Sequence, residues 1–369
     1  MSIKFLPKLY KDELHFEIKD INTSLINSIR RVCLEDHESI AFNIDDYINS
    51  DLKVITNTSG LHNEFLLNRM GLLPIHYKNI ETFDPNKFNF ILKKENKTNK
   101  LMEVTSEDIE VYNTETGKKE DARSFFPPNK NNSYILINKL KHNPIKGEQI
   151  HIEGKASKHP GKKNARYQPG FITFSNKQDP NKVKVELEKY INEHKESDKT
   201  ENLRKHFEIS LADRYFYTDD TNNCNYFDVS VESIGIVPPE QILFNCIDIL
   251  FKKLDMFKNL VRKIINEKHD SDIIKIEVSL ENMKAYNISV QDESHTLGNL
   301  IQTYSLQYFD RKKLLFMGYR NPHPLKNMIE FKISTENHSL EEVNTIISVT
   351  CDNIMKILDN LRKIVEKKL

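Results

Sequence analysis

The sequence predicts an α+β fold made of two related modules, each an antiparallel sheet with long helices, and a large α+β domain inserted in the first module. Three observations predict it: two long apolar helical stripes, alternating strand patterns, and a short motif that occurs twice. We therefore expect the first module at residues 1–43 and 227–268, the inserted domain at 44–226, and the second module at 273–369.

Apolar residues recur every three or four positions in two segments, which indicates two long amphipathic helices. The first segment follows Pro238 and Pro239, a natural entry to a helix. Each stripe has to be buried against an apolar surface, and its simplest partner is the other stripe. The stripe residues are Leu243, Ile247, Leu250, Leu254, Phe257, Val261 and Ile264 in the first segment, and Leu340, Val343, Ile347, Cys351, Ile354, Leu358, Leu361 and Val365 in the second.

Strand patterns separate the two stripes. Apolar and polar side chains alternate from Ile274 to Leu280, which predicts a half-buried strand, and residues 286–290 repeat the pattern. A helix at about 295–308 and strands at 313–319 and 328–334 complete the expected second module.

The start of the chain repeats this arrangement. Residues 20–29, D-I-N-T-S-L-I-N-S-I, align without gaps on residues 292–301, D-E-S-H-T-L-G-N-L-I, and an alternating strand pattern precedes both. We interpret this as one strand–turn–helix unit used twice. A chance match of so short a stretch is the alternative, and the paired long helices count against it.

The region between the modules is interpreted as an insertion because sequence on both sides of it belongs to the same module. It contains a predicted helix at 61–72 and predicted strands at 134–140 and 149–152. Charged stretches of low apolar content at 93–100 and 193–205 are expected to be exposed loops or solvated helix.

Composition excludes several classes of protein. Lys+Arg and Asp+Glu number 54 each, which argues against a protein that mainly wraps nucleic acid, because such proteins carry a basic excess. The four cysteines are far apart and form no C-x-x-C pair, so neither a Cys-rich zinc module nor a disulfide framework is expected. No apolar run is long enough to span a membrane, and we expect an intracellular, reducing environment.

The repeated motif contains the strongest candidate for catalysis. His295 with Asp292 and Glu293 has the composition of an acid/base cluster. The same residues suit a helix N-terminus, where side-chain oxygens cap free amide groups and acids complement the dipole, and we favour this interpretation. Gly298 falls in the first turns of that helix, where glycine costs about 1 kcal/mol relative to alanine. We expect Gly298 to allow a close approach where this helix meets its partner in the other module.

Two further segments have competing interpretations. His323 lies in G-Y-R-N-P-H-P-L and is either a metal ligand or part of a rigid turn; no second ligand lies at a useful spacing, which favours the turn. Residues 155–166 form a basic segment that is either a contact for a partner or nucleic acid, or an exposed loop. A stand-alone nucleic-acid-binding module is therefore the alternative function. No catalytic or nucleotide-binding motif is present, and we predict that the chain is not an enzyme.

Several motifs resemble components of multisubunit RNA polymerases. D-E-S-H-T-L-G-N-L and F-M-G-Y-R-N-P-H-P-L are similar to the eleventh subunit of eukaryotic RNA polymerase II and its archaeal L-type counterpart. N-S-I-R-R-V-C-L-E-D-H-E-S-I-A-F, N-E-F-L-L-N-R-M-G-L-L-P-I and F-D-V-S-V-E-S-I-G-I-V-P-P resemble the third subunit and its archaeal D-type counterpart. K-H-P-G-K-K-N-A-R-Y-Q-P resembles a loop of that family, with Asn164 and Tyr167 in place of His and Trp. Both families are homologues of bacterial alpha, so the resemblance implies two alpha-like dimerisation modules fused in one polypeptide.

The resemblance implies assembly rather than catalysis. The two modules are expected to pair and to nucleate docking of the largest and second-largest polymerase subunits, with small assembly subunits as further partners and DNA or RNA contacted only through the complex. Neither a homo-oligomer nor a membrane partner is expected. Such a fusion implies a large DNA virus, hence host cytoplasm and virion; otherwise the nucleus is expected. Many family members bind zinc or an iron–sulfur cluster through insert cysteines, but this insert has only Cys224, so we predict no cofactor.

The resemblance also implies roles for individual residues. Arg30 and Arg31 are expected to face the second-largest subunit, since the planar guanidinium suits bidentate contacts; a solvated helix face is the alternative. Glu64 and Arg69 are expected to contribute to the large-subunit contact from the insert. The residues expected at the interface between the modules are Leu25, Ile29, Leu243, Ile247, Leu250, Leu254, Phe257, Val261, His295, Thr296, Leu297, Gly298, Asn299, Leu300, Leu340, Val343, Ile347, Cys351, Ile354 and Leu358.

Overall fold

The computed structural model describes residues 1–7, 10–45, 49–77, 79–142, 146–194, 199–279 and 284–368. Within these ranges the strands are β1 (Ser2–Phe5), β2 (Glu13–Lys19), β3 (Glu38–Ala41), β4 (Leu52–Asn57), β5 (Phe88–Glu95), β6 (Met102–Thr105), β7 (Ile109–Asn113), β8 (Lys119–Glu120), β9 (Leu136–Leu140), β10 (Gln149–Gly154), β11 (Ser157–Pro160), β12 (Gly170–Asn176), β13 (Tyr226–Ser233), β14 (Ile274–Val278), β15 (Tyr286–Gln291), β16 (Leu314–Arg320) and β17 (Met328–Thr335). The α-helices are α1 (Thr23–Glu35), α2 (Asn63–Gly71), α3 (Pro180–His194), α4 (Thr200–Ser210), α5 (Pro239–Glu267), α6 (His295–Tyr308) and α7 (Leu340–Glu366). No helix in the described ranges combines the length and apolar character that a membrane crossing requires.

Two four-stranded sheets with the same strand order confirm the predicted fold class. One sheet has the order β1-β2-β13-β12 and the other β14-β15-β17-β16. In each sheet a strand leads directly into a helix, β2 into α1 and β15 into α6, and a long helix follows the sheet, α5 or α7. We call β1, β2, α1, β12, β13 and α5 the first module, and β14, β15, α6, β16, β17 and α7 the second module.

Strand register is the same in the two modules. Phe16 of β2 pairs with Val229 of β13, and Ile288 of β15 pairs with Phe331 of β17, in antiparallel ladders. These side chains are buried because alternate residues of each strand face the helices of their module. The predicted strand from Ile274 to Leu280 is shorter in the structure: Val278 is exposed at the end of β14, and Leu280 lies outside the described residues.

The chain divides into two compact units whose boundaries differ from the predicted ones. The first unit comprises Met1–Val32, Phe171–Glu232 and Pro239–Leu369; the second comprises Cys33–Gly170 and Ser233–Pro238. The predicted insert, 44–226, thus differs from the second unit at both ends. The difference at the end is explained by β12, which forms the fourth strand of the first module's sheet beside β13 and thus returns residues 170–176 to that module.

The segment between β12 and β13 forms two helices, α3 and α4. Both helices are rich in charged side chains. For this reason the sequence predicted only an exposed loop or a solvated helix around residues 193–205. A small aromatic cluster holds them together: Phe207 is buried, and its ring lies 5.6 Å from Tyr190 and 5.8 Å from Tyr215. Local aromatic packing thus replaces the extended apolar stripe that sequence periodicity detects.

The second unit has its own core. It contains a five-stranded sheet of order β4-β10-β5-β7-β8 and the two-stranded sheets β11-β3 and β6-β9. Aromatic rings fill the space above the larger sheet, with Phe88 and Phe90 lying 5.1 and 5.6 Å from Phe125. The predicted helix at 61–72 is α2, which packs Leu66, Leu67 and Met70 into this core.

Candidate interface between the modules

Helices α5 and α7 pack along each other, and their apolar stripes supply the buried contact. Two ion pairs show that the helices are antiparallel: Lys258 lies 2.8 Å from Asp352, and Arg362 lies 3.4 Å from Asp248. The predicted interface residues that are buried here are Leu243, Ile247, Leu250, Leu254, Phe257 and Val261 of α5, and Val343, Ile347, Cys351, Ile354 and Leu358 of α7.

Leu340 departs from the predicted stripe. Its side chain is 37% exposed at the first residue of α7. The antiparallel ion pairs explain this, because they place Leu340 opposite a position beyond Glu267, the last residue of α5. The stripe therefore extends past its partner helix at this end.

A second contact joins α1 of the first module to α6 of the second. Ser24 Oγ donates a hydrogen bond of 2.6 Å to Asn299 Oδ1, and Ser28 Oγ lies 3.4 Å from the carbonyl oxygen of Thr296. The side chain of Asn299 is exposed, but it takes part in the contact through this bond. Four predicted apolar residues around these bonds are buried: Leu25, Ile29, Leu297 and Leu300.

Arg31 belongs to this same contact, which differs from its predicted role. Its Nε donates a hydrogen bond of 2.8 Å to Thr296 Oγ1, and the side chain is half-buried. Arg30 is also half-buried and donates from Nε to Asn27 Oδ1, 3.0 Å away on its own helix. The expectation for Arg31 did not include Thr296, because the sequence does not show which face of α1 meets α6. The bond of Arg30 stays within α1, and the predicted role of this residue stays a prediction.

A buried ion pair links α5 to the loop before α6. Lys253 Nζ lies 3.1 Å from Glu293 Oε1, and the Glu293 side chain is only 8% exposed. A carboxylate this buried requires a cationic partner, because removing its hydration is otherwise costly. Glu293 therefore serves the contact between the modules.

The residues around His295 form a helix start. The side chain of Ser294 accepts a hydrogen bond from the backbone amide of Thr296 at the N-terminus of α6. His295 is exposed, and its ring lies 5.6 Å from Tyr319 of the same module. His295 is thus at the edge of the predicted interface, and the capping interpretation describes this segment better than an acid/base cluster.

Gly298 makes a close approach, but not to the expected partner. A Cβ atom built on Gly298 would lie 2.3 Å from Cδ2 of Tyr319, which belongs to β16 of the same module. The prediction that Gly298 faces the helix of the other module is therefore wrong. Because α6 lies directly on its own sheet at this point, the aromatic ring of Tyr319 occupies the space of a side chain.

Burial changes the chemistry of the interface cysteine. Cys351 lies inside the α5–α7 contact, and removal from solvent raises the pKa of its thiol to about 12. The thiol stays protonated at neutral pH and behaves as a small apolar group. In the described ranges no group of three or more His, Cys, Asp or Glu side chains is placed to hold a metal ion.

In the second unit, α2 positions Glu64 and Arg69. Both side chains are exposed, and Arg69 donates a hydrogen bond of 2.7 Å to the carbonyl oxygen of Leu136. Phe65 and Leu72 are exposed beside them, although both are large and apolar. Sequence reasoning missed these two residues; the signal was their spacing on the side of the helix opposite Leu66, Leu67 and Met70.

The basic segment 155–166 is built into the second unit. Arg166 pairs with Asp45 at 2.8 Å, and the Nζ atom of Lys163 lies 2.9 Å from His159 Nε2. Tyr167, which follows the segment, is fully buried and hydrogen-bonds Ser157. Several of the charges thus have internal partners, which favours a structural loop over a nucleic-acid surface.

Comparisons with known proteins place both modules in one family. A family model described as "RNA polymerase Rpb3/Rpb11 dimerisation domain" matches residues 15–254, and a second with the same description matches residues 285–363. A "Conjugation stage-specific protein" of Tetrahymena thermophila is 32% identical over 193 residues, which are 46% of this chain and 58% of that protein.

Other relatives match different parts of the chain. "DNA-directed RNA polymerases II, IV and V subunit 3" of Arabidopsis thaliana is 23% identical over 299 residues, 67% of this chain and 88% of that protein. A "Probable DNA-directed RNA polymerase II subunit RPB11" of Caenorhabditis briggsae is 35% identical over 68 residues, 18% of this chain and 53% of that protein. The chain thus spans little more than half the length of two of these three relatives.

Proposed function

Because the chain belongs to the family of RNA polymerase Rpb3/Rpb11 dimerisation domains, we propose that it is a non-catalytic assembly subunit of a DNA-directed RNA polymerase. Its two modules act as an intramolecular dimer and form the platform on which the two large catalytic subunits dock. The observation that carries this proposal is the antiparallel packing of α5 on α7 between two modules of identical strand order.

Fusion of the modules has a direct physical consequence. A short linker holds the second module near the first at an effective concentration on the order of millimolar, so pairing is intramolecular. The ratio of the modules is fixed at one to one, and no homo-oligomer is needed for assembly. DNA and RNA are contacted only through the complete polymerase.

The exposed face of α2 is the surface proposed for a large-subunit contact. Glu64 and Arg69 lie on it with Phe65, and an exposed aromatic anchor among charged residues is typical of a protein interface. Arg30 of α1, with its half-buried guanidinium, is a separate candidate for such a contact. Small assembly subunits of the polymerase are further expected partners.

The cellular location proposed for the chain is that of the RNA polymerase to which it would belong. RNA polymerase II subunits among the relatives favour the nucleus as the place of action. The viral source inferred from the fusion, with its location in host cytoplasm and virion, stays a prediction.

Affinity purification from the native organism tests the proposal. The tagged chain is expected to co-purify with the two largest RNA polymerase subunits at equal stoichiometry. Leu254→Asp places a charge in the α5–α7 contact, and this variant should not co-purify with the two large subunits. Val349→Asp changes a residue of α7 that is 39% exposed, and this variant should still co-purify with them. Purification of the wild-type chain without polymerase subunits would overturn the proposal.

A further inference from the structure

The two modules are related by an approximate twofold repeat that extends to individual side chains. The alignment that matches Thr23 with His295, the first residues of α1 and α6, also matches Asp20 with Asp292. Both aspartates have a positive φ, 60° and 57°, which is uncommon for residues other than glycine. Equivalent positions in the two modules can therefore be compared directly.

The comparison shows an asymmetry at the contact between α1 and α6. Arg31 donates to Thr296 Oγ1, and the repeat makes Ser24 the equivalent of Thr296. The equivalent of Arg31 is Thr303, whose short side chain has no guanidinium to offer Ser24. The half of the contact around Thr296 thus contains an arginine of the chain itself, Arg31. The equivalent half around Ser24 has Thr303 at that position.

A cleft lies where the second arginine would be. Its volume is about 280 Å³, and its lining includes Ser24, Asn27, Asn299, Thr303, Asn22 and Asn223. We call this the Ser24–Thr303 cleft. A neighbouring cavity of about 410 Å³ shares Asn22, Asn223 and Thr303 with it. The only charged side chains among the described residues lining that neighbour are Asp219 and Asp220.

We propose that an arginine side chain from another polymerase subunit enters the Ser24–Thr303 cleft and takes the position that Arg31 occupies in the other half of the repeat. This inference rests on the proposed function and names a docking point of the platform. The partner is a protein segment, because amide and hydroxyl groups with two nearby carboxylates match a cation and repel the phosphates of nucleic acid.

Arginine fits the cleft better than lysine. Its planar guanidinium presents five donors, which match the hydroxyl of Ser24, the amide oxygens of the asparagines and the carboxylates of the neighbouring cavity. The Thr221 hydroxyl, through its hydrogen bond, holds the pKa of Asp219 below its usual value, so this carboxylate is charged at neutral pH. The Arg31–Thr296 bond of 2.8 Å provides the template for the proposed contact.

Thr303→Arg tests the inference by supplying the arginine from the chain itself. We expect a folded variant, with a melting temperature at least that of the wild type, whose co-purification with at least one other polymerase subunit falls by tenfold or more. Val349→Arg, which adds the same side chain on an exposed part of α7 outside the cleft, is the matched control and should co-purify as the wild type does. Equal co-purification of Thr303→Arg and wild type would overturn the inference and leave the proposed function intact.

Photo-crosslinking tests whether an arginine of another subunit enters the cleft, and it does so even if Thr303→Arg fails to fold. A benzophenone amino acid at Leu306, an exposed residue lining the neighbouring cavity, is expected to crosslink to a segment of another polymerase subunit that contains an arginine. Changing that arginine to glutamine should abolish the crosslink. A crosslinked segment without arginine, or the absence of any polymerase crosslink in a chain that still co-purifies with the polymerase, would contradict the inference. Failure of the wild-type chain to recover polymerase subunits would overturn the proposed function and the inference with it.

Discussion

Ser24 and Asn299 are joined by a hydrogen bond of 2.6 Å between side chains that lie 275 positions apart in the sequence. The bond connects the N-terminal parts of two helices that occupy equivalent positions in the two modules. Together with the antiparallel α5–α7 contact, it shows that the modules meet through a polar contact at α1 and α6 and an apolar contact along α5 and α7.

Leu254→Ala should destabilise the chain by about 2–5 kcal/mol, because the side chain is fully buried between α5 and α7 and its loss leaves a cavity. Val349→Ala is the control, since this residue of α7 is 39% exposed and its truncation should change the free energy of unfolding by about 0.5 kcal/mol or less. Urea unfolding of both variants provides the measurement. Equal effects of the two substitutions would mean that Leu254 is not part of a packed interface.

Gly298→Ala should be destabilising by about 1–3 kcal/mol, because the added methyl group would overlap the ring of Tyr319. In a Tyr319→Ser background the same change should be neutral or stabilising, since alanine favours a helix over glycine by about 1 kcal/mol. A double-mutant cycle measured by chemical unfolding provides the comparison. A Gly298→Ala effect of the same sign and size in both backgrounds would show that Tyr319 is not the obstacle.

Lys253→Met should cost about 3–5 kcal/mol of unfolding free energy, since it leaves the carboxylate of Glu293 buried without its cation. The double variant Lys253→Met with Glu293→Gln should recover most of that loss. Lys252→Met removes an exposed lysine that pairs with Asp248 on the same helix, while Asp248 keeps Arg362, and it should change stability by about 0.5 kcal/mol or less. If Lys253→Met proved as mild as Lys252→Met, the ion pair would not stabilise the contact between the modules.

Cys351 should make stability depend on pH in the alkaline range. Its folded pKa of about 12 lies above the ordinary value of 9.0, so the folded state favours the protonated thiol. This stabilisation is complete below pH 9 and is lost as pH rises from 9 toward 12, because the unfolded thiol ionises first. Above pH 9, the unfolding free energy of the wild type should therefore decrease relative to that of Cys351→Ala. A difference that stays constant from pH 7 to pH 11 would contradict the burial of this thiol.

The regular parts of the fold could be predicted from the sequence because they obey simple periodicities. The spacing from Leu243 to Val261 identified the buried face of α5, and the repeated motif placed the starts of α1 and α6. β12 is as long as β2, but it escaped prediction because its apolar residues do not alternate cleanly: Phe171 is exposed, and Ile172 is the fully buried apolar side chain. The predicted end of the insert, residue 226, therefore differs from the end of the second unit's first segment at Gly170.

The details of the candidate interface depend on three-dimensional relations that periodicity does not contain. The sequence indicated that Gly298 meets something closely, but only the path of β16 identifies Tyr319 as the neighbour. The sequence likewise placed Arg31 on α1 but did not show that Thr296 lies within hydrogen-bond distance. Both contacts depend on how α6 lies on its sheet and against α1.

Cleavage of the linker between the modules tests the central claim most directly. A protease site inserted at residues 268–272, between α5 and β14, separates the chain into fragments 1–270 and 271–369 without touching either long helix. The account predicts that the cleaved fragments co-elute as one species in gel filtration and separate only when denaturant unfolds them. Separate elution of two folded fragments in native buffer would show that the modules do not hold each other through α5 and α7.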